Sequence, residues 1–347
     1  MKRVLIGMSG GVDSSVAAAL LKEQGYDVVG VTLRLWDSPE TEQRDASAVC
    51  RQLGIEHHIL DRTQRFRKQV IDPFAARYLA GKTPNPCIFC NRFVKFSALY
   101  EELDTFGCDA LATGHYARLQ EFEGRLTFLR EEDNPKDQTY VLYPLTQELL
   151  RKLILPLSGM NKEQVRDLAR KYDLPIAEKA DSQEICFIPD KNYGRFLRDY
   201  TKTEPEKGNF IDADGRVLGQ HSGIWDYTVG QRKGLGIALG TPVYVTAIDP
   251  AKNTVTLGVS GQEYHRSFIA EDLNWVAIPH LSAPQQLSVK IRYGGKPVPA
   301  TVTPLEDGTV RVEFDTPQRA VTPGQSAVFY RDNLLIGGGE IRSGELI

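Results

Sequence analysis

The sequence lacks any run of about 20 apolar residues, the length a helix needs to cross a bilayer, so no membrane-spanning segment is expected. Cysteine is scarce, five in 347 residues. That excludes a disulfide-stapled secreted scaffold and points to a reducing cytoplasm, where closely spaced cysteines serve chemistry or metal. Neither sign of charge dominates: 42 Lys and Arg stand against 45 Asp and Glu, a formal −3. This balance neither favours nor excludes nucleic acid, because a basic face can be offset elsewhere. Repeats and low-complexity linkers are missing too. What remains, 41% hydrophobic and 25% charged residues, is the composition of a soluble globular chain long enough for two or three domains.

The first ~115 residues alternate strand and helix patterns. Arg3–Met8, Asp27–Leu35, Ile55–Leu60 and Cys108–Thr113 read as strands, the first of them too short in apolar residues to be a leader. Val12–Gln24, Glu42–Leu53, Gln64–Leu79 with a kink at Pro73, and Phe93–Phe106 read as helices. Such alternation predicts right-handed βαβ units and a parallel sheet covered on both faces. An Asn161/Gln164 capping pair opens a further helix. Helix signals stop near Tyr200, and from Gly208 to Ile347 short β-runs alternate with turn signals such as Asp212-Ala213-Asp214-Gly215 and Thr322-Pro323-Gly324. The fold class therefore changes along the chain, from α/β to β-rich modules.

Between the first strand and first helix lies Gly7-Met8-Ser9-Gly10-Gly11-Val12-Asp13-Ser14-Ser15. Its glycines let backbone N–H groups turn inward, its serines add hydroxyls, and the helix start adds partial positive charge, so it suits an anion of pyrophosphate size. No Gly-Lys-Ser/Thr follows, and the Gly-x-Gly-x-x-Gly spacing is missing, so it is neither a Walker loop nor a dinucleotide fingerprint. It resembles the pyrophosphate loop of ATP-dependent adenylating enzymes, which amidotransferases, lysidine synthases, NAD synthetases and RNA sulfurtransferases share. Asp13 is placed to meet a Mg2+ ion on the phosphates or simply to serve the helix dipole. Leu33 would lie beside adenine or belong to the sheet core.

The nucleophile decides among these chemistries. Cys87-Ile88-Phe89-Cys90 ends a Pro-stiffened segment, and Cys90 is expected just before a helix with Arg92 and Lys95 near, a setting that favours thiolate. Cys186 lies far along the chain at a polar-to-apolar junction. Sulfur delivery needs one thiol carrying a persulfide and a second to resolve it. Half a zinc site is the competing reading of the close pair, but no second pair follows at finger spacing. Cys50 and Cys108 read as core.

With the phosphate loop, Thr83–Phe96, Ala112–Arg118, Asp133–Tyr140, Asp181–Ile188 and Tyr227–Gly236 in order, the whole chain resembles the bacterial tRNA-specific 2-thiouridylases. The resemblance implies an N-terminal adenine-nucleotide hydrolase-like domain with a parallel sheet (1–203), a small central β-rich domain contacting tRNA (204–264) and a C-terminal antiparallel β-barrel (265–347). It implies ATP-dependent thiolation at C2 of the wobble uridine in tRNA(Lys), tRNA(Glu) and tRNA(Gln), with sulfur from a persulfide donor protein. Cys90 would be the nucleophile and Cys186 the persulfide carrier. Gly7, Met8, Ser9, Gly10, Gly11, Val12, Asp13, Ser14, Leu33 and Gly114 would contact ATP. Asn85, Pro86 and Cys87 would meet the target base, and His115, Lys136, Asp137, Gln138, Arg292, Tyr293 and Gln325 the tRNA. A flipped uridine is the expected geometry, since C2 is inaccessible while stacked. One departure stands out. Better-known members carry at position 87 an aspartate proposed as general acid/base; here Cys87 leaves that role to a thiol, to water, or to nothing. Cys87, Cys90 and Cys186 around one cavity would alternatively hold a 4Fe–4S cluster. Lys191, Arg195, Arg198 and Lys202 interleave with Tyr193, Phe196 and Tyr200, either as a basic surface with stacking platforms or as an amphipathic helix with aromatic core. Arg232 and Lys233 offer two cations in a Gly-rich turn.

Overall fold

The computed structural model describes residues 2–36, 40–132, 134–180 and 185–342. The first seven strands are β1 (Arg3–Gly7), β2 (Asp27–Arg34), β3 (Glu56–Asp61), β4 (Ala110–Ala112), β5 (Arg118–Phe122), β6 (Arg125–Leu129) and β7 (Leu153–Ile154). Five of them form one sheet in the order β3-β2-β1-β4-β7, every pair parallel. Alternation along β1 explains why it sits in the middle. Leu5 packs into one core with Leu99 and Leu111, while Val4 and Ile6 face the other with Val16 and Ala17 of helix α1 (Val12–Glu23). The chain order reverses between β1 and β4, and ligand crevices of open α/β sheets form at such a point, beyond the strand carboxyl ends.

Two helical readings are corrected. The segment 63–79 is helical throughout but widens into a π turn at Arg67–Ile71, directly ahead of Pro73 in the following stretch Asp72–Leu79, and the wider turn accommodates a residue that has no N–H to donate. The second helix begins earlier than Phe93. Asn85 caps it by accepting from the Cys87 N–H at 3.1 Å, and Pro86 opens it. The run then passes through a π turn, Cys90–Lys95, into Phe96–Glu101. Cys90 is therefore one turn inside the helical run, and Cys87 occupies its first turn. The Asn161/Gln164 capping box forms with both bonds present, 2.8 and 2.9 Å.

Among the described residues the last α-helix is Tyr193–Thr201. Its aromatics take the core side of the alternative: Tyr193 stacks on Tyr78 at 6.2 Å, and Phe196 packs on Phe187 and Tyr200. Beyond it, β8 (Gly208–Ile211), β9 (Val217–His221), β10 (Val243–Asp249) and β11 (Thr254–Val259) form a small sheet around Phe210, Val245 and Leu257. Six antiparallel strands follow: β12 (Tyr264–Trp275), β13 (Gln285–Lys290), β14 (Val298–Pro304), β15 (Val310–Arg319), β16 (Ser326–Arg331) and β17 (Leu334–Ile341). The long β12 pairs with both β15 and β17 and closes them into a barrel. The hairpin β5–β6, from the first half of the chain, joins this sheet through Leu129 opposite Leu334. The barrel is thereby fastened to the parallel-sheet unit.

Candidate active site

The glycine turn is shaped by positions that admit no side chain. Gly10 has φ +71°, and a Cβ there would stand 2.2 Å from the Glu42 carbonyl oxygen. At Gly114, after β4, a Cβ would meet the backbone of Asp13 and Ser14 at 2.7 Å. Gly114 lets the β4 end close on the start of α1, and Gly10 lets the turn pass against the Glu42 backbone. Ser14 Oγ accepts from the Ser9 N–H at 3.1 Å and Ser15 Oγ donates to the Gly11 carbonyl at 2.8 Å, which fixes the loop. Gly11 caps α1 without a side chain, so the first N–H groups of the helix face the crevice as anion donors. Gly7, Met8, Ser9, Asp13, Ser14, Leu33 and Gly114 border a cavity of about 210 Å3 there. This set of donors suits a nucleotide's phosphates. Gly10 turns its carbonyl to Lys179 Nζ (2.9 Å). Asp13 accepts from Tyr116 Oη and from Lys162 Nζ, both at 2.6 Å.

A second cavity, about 760 Å3, runs from this turn to the sulfurs: Ser9, Gly11, Val12 and Asp13 border it at one end, Cys87, Cys90 and Cys186 at the other. Cys90 is buried, whereas Cys87 and Cys186 can be reached by solvent from the cavity. The expectation of an acidified Cys90 is overturned. Enclosure by protein pushes its thiol up to about 11, against the pull of the Lys95 ammonium, and pushes Cys186 up to about 12. Cys87 is raised for the same reason. Cys87 and Cys186 touch solvent at the cavity but are otherwise enclosed by protein, which disfavours the charged thiolate. The reason is positional: Cys90 stands inside the helical run in the company of Val94 and Phe187, away from the helix terminus. Among the described residues no three His, Cys, Asp or Glu side chains are grouped as a metal would require. No step is routed through a cluster. Cys50 and Cys108 are buried core residues, as expected.

A third and larger cavity, about 1060 Å3, opens beyond the cysteines and is bordered by Asn85, Pro86, Cys87, His115, Gln138, Tyr293 and Gln325. Gln231 borders it too, with Arg232 and Lys233 exposed on the same turn. Lys136 lines the sulfur cavity. His115 is buried, with Nδ1 2.8 Å from Thr113 Oγ1, and burial together with Lys95 holds its imidazole well below the ordinary range. Two expected tRNA contacts are engaged elsewhere. Asp137 is buried and accepts from Thr139 Oγ1 (2.6 Å) and the Glu131 N–H (3.2 Å), and Arg292 donates to the Arg319 carbonyl (2.9 Å). Asp133 and 181–184, within two of the quoted blocks, lie outside the described residues.

Several site residues carried no sequence signal. Lys162 and Lys179 reach the glycine turn from far along the chain. The segment leading to Cys87 is held by the C-terminal units: the Thr83 N–H donates to the Pro323 carbonyl (2.9 Å), Gln325 Nε2 donates to the Thr83 carbonyl (2.6 Å), and Thr83 Oγ1 meets Thr228 Oγ1 at 3.4 Å. Buried Glu340 of β17 binds Arg77 and, at 3.3 Å, Lys82. Lys82–Thr83 and Gly324 carry no motif pairing them, and only the fold brings them together.

Residues 2–190 match a family model described as the tRNA methyl transferase HUP domain, 194–259 its PRC-barrel domain, and 265–341 an aminomethyltransferase beta-barrel domain. The chain is similar to the tRNA-specific 2-thiouridylase MnmA of Clostridium perfringens, 47% identical over 99% of each chain. It is also similar to that of Acetivibrio thermocellus, 48% identical over 98% of this chain and 99% of the other. A solved NMN synthetase from Francisella tularensis matches at a TM-score of 0.36 and 19% identity, over 58% of this chain and 78% of that one.

Proposed function

The chain belongs to the tRNA-specific 2-thiouridylase family, making it a tRNA-uridine 2-sulfurtransferase, and from that premise we propose how its residues carry out the reaction. ATP lies across the glycine turn, its phosphates on the N–H groups at the start of α1 and its adenine beside Leu33. Mg2+ would be held by the phosphates and by the second carboxylate oxygen of Asp13, whose Oδ1 accepts from Tyr116 and Lys162, and would shield charge. A flipped uridine enters past Asn85, Pro86 and Cys87, and its O2 attacks the α-phosphate, expelling pyrophosphate. Persulfide sulfur on Cys186 then attacks C2; the C2–O2 bond breaks and AMP departs with the electron pair. Cys90 sulfur next attacks Cys186 sulfur. The bond to the transferred sulfur breaks, its electrons pass to that sulfur as 2-thiouridine, and a Cys90–Cys186 disulfide remains. A dithiol reductant restores the thiols, and a persulfide donor protein recharges Cys186.

The tRNA is read as lying over the large cavity, with Gln138, His115, Tyr293 and Gln325 on its walls, Lys136 at the adjoining sulfur cavity, and Arg232 and Lys233 available to phosphates, while Arg292 is turned to the Arg319 carbonyl. Asp137 shapes the Lys136–Gln138 turn rather than touching RNA. The substrates are read as tRNA(Lys), tRNA(Glu) and tRNA(Gln), the compartment as cytoplasm, and the units as 1–203, 204–264 and 265–347. One observation carries the reading: a single cavity is bordered at one end by the glycine turn and at the other by Cys90 and Cys186. The test is mass analysis of nucleosides from tRNA incubated with enzyme and a persulfide-charged protein. Under this mechanism 2-thiouridine appears only when ATP is present, with one AMP per thiolated base. ATP-independent product would refute it.

A further inference from the structure

Lys95 has no task in the reaction as proposed, yet its position is unusual. It closes the π turn Cys90–Lys95. In a regular helix of 3.6 residues per turn, the fifth residue on stands about 140° round the axis. The i→i+5 bonding of a π turn brings it back to nearly the same face. Lys95 thus shares the face of Cys90, and it borders all three cavities: the glycine-turn pocket, the sulfur cavity and the large opening. It is half-buried. Two carboxylates near the glycine turn are committed to other lysines, Asp13 to Lys162 and Asp45 to Lys179, both at 2.6 Å, and Glu42, which also borders the sulfur cavity, is not within ion-pairing distance of Lys95. Among the described residues Lys95 has no carboxylate at ion-pairing distance. A partly desolvated cation without a protein anion is poised for one brought by substrate.

We propose that Lys95 is the catalytic cation of the sulfur-transfer half-reaction, facing the adenylated uridine and taking up the negative charge that builds on AMP as the C2–O2 bond breaks. This rests on the thiolation reading above. Lys95 stands on the helix of Cys90 and shares its face, which sets its charge beside the displacement step. Its field reaches all three thiols, where it opposes the effect of burial.

The test follows pyrophosphate and 2-thiouridine in the same single-turnover samples, with enzyme in excess over tRNA and a persulfide-charged protein as donor. For Lys95→Gln, pyrophosphate release should stay within about threefold of the wild type while 2-thiouridine formation falls about 100-fold, the size of a lost preorganised charge. Lys95→Arg, which keeps the charge, should recover at least about tenfold of that loss. Should Lys95→Gln melt early, Lys95→Met takes its place. The inference is overturned if both products fall together, if the neutral variant thiolates at the wild-type rate, or if arginine does no better than glutamine at equal melting temperature. Wild-type enzyme that releases pyrophosphate but yields no 2-thiouridine would instead sink the thiolation reading.

Discussion

The two ends of the sulfur cavity are built in opposite ways. At the glycine end, Ser9, Gly11, Ser14 and Ser15 hold one another through bonds spanning at most five positions, and the helix N–H groups already face the crevice. At the sulfur end, Cys90 and Cys186 come from distant segments, and the chain before Cys87 is propped by Thr228, Pro323 and Gln325 from two other units. The first end is complete before any ligand arrives. The second holds its sulfurs protonated, pushed up to about 11 and about 12 by burial, and so needs the incoming substrate and its charges to activate them. Phosphate binding rewards a rigid cradle; sulfur exchange requires reactive sulfur to stay quiet until its acceptor is present.

Removing the sulfurs should produce the largest effect. Cys186→Ser and Cys90→Ser should each lower 2-thiouridine formation at least about a thousandfold, because neither hydroxyl can carry sulfane sulfur or resolve it, while ATP still binds. Nucleoside mass analysis reads the first result and equilibrium dialysis the second. Normal thiolation in either variant would erase the contrast between the two ends.

The quiet state of the sulfur end is measurable without any tRNA. With Cys90 raised from 9.0 to about 11, its thiolate fraction at pH 8 is about a hundredfold below that of an unburied thiol, so alkylation by iodoacetamide should be slower by that factor. Its rate should climb with pH toward 11. Peptide mass mapping of Cys90 against Cys87 and free cysteine checks this, and a Cys90 that reacts as fast as free cysteine would restore the acidified thiol expected from its sequence neighbours.

The glycine end should answer more modestly, through strain. Gly10→Ala places a methyl 2.2 Å from the Glu42 carbonyl oxygen on a backbone at φ +71°. Pyrophosphate release should fall about 30-fold, the penalty of a strained left-handed residue at a functional turn, with Cys90 alkylation unchanged. If alkylation changes as well, the two ends are mechanically coupled and the comparison must be redrawn.

The same contrast explains what could be read from sequence. The bonds inside the glycine turn, the apolar runs of the parallel-sheet strands and the Asn161/Gln164 cap are set by neighbours a few positions away, so composition and spacing reveal them. Lys162 and Lys179, which brace the turn from far along the chain, stay hidden. The π turn at Cys90–Lys95 is hidden because nothing in Cys-Asn-Arg-Phe-Val-Lys breaks helical periodicity. A thiol's acidity depends on what encloses it; Val94 is local, but Phe187 packs in from far along the chain. The capture of β5–β6 by the barrel sheet is equally invisible, since Leu129 and Leu334 meet only in the fold.

The smallest expected effect is at Cys87, where the family resemblance and this chain part company. Its N–H is taken by Asn85 Oδ1, fixing it in the first helical turn, and its side chain borders both the sulfur cavity and the large opening. Burial raises the thiol, so at neutral pH it is uncharged and unable to act as the base that a carboxylate there would be. Proton transfer at the uridine then falls to water, and serine, similar in size and equally neutral, should substitute with a loss of no more than about threefold in single-turnover thiolation. A drop beyond about tenfold in Cys87→Ser would show that this sulfur takes part directly; the sulfur end would then hold three working thiols against the single rigid cradle at the other.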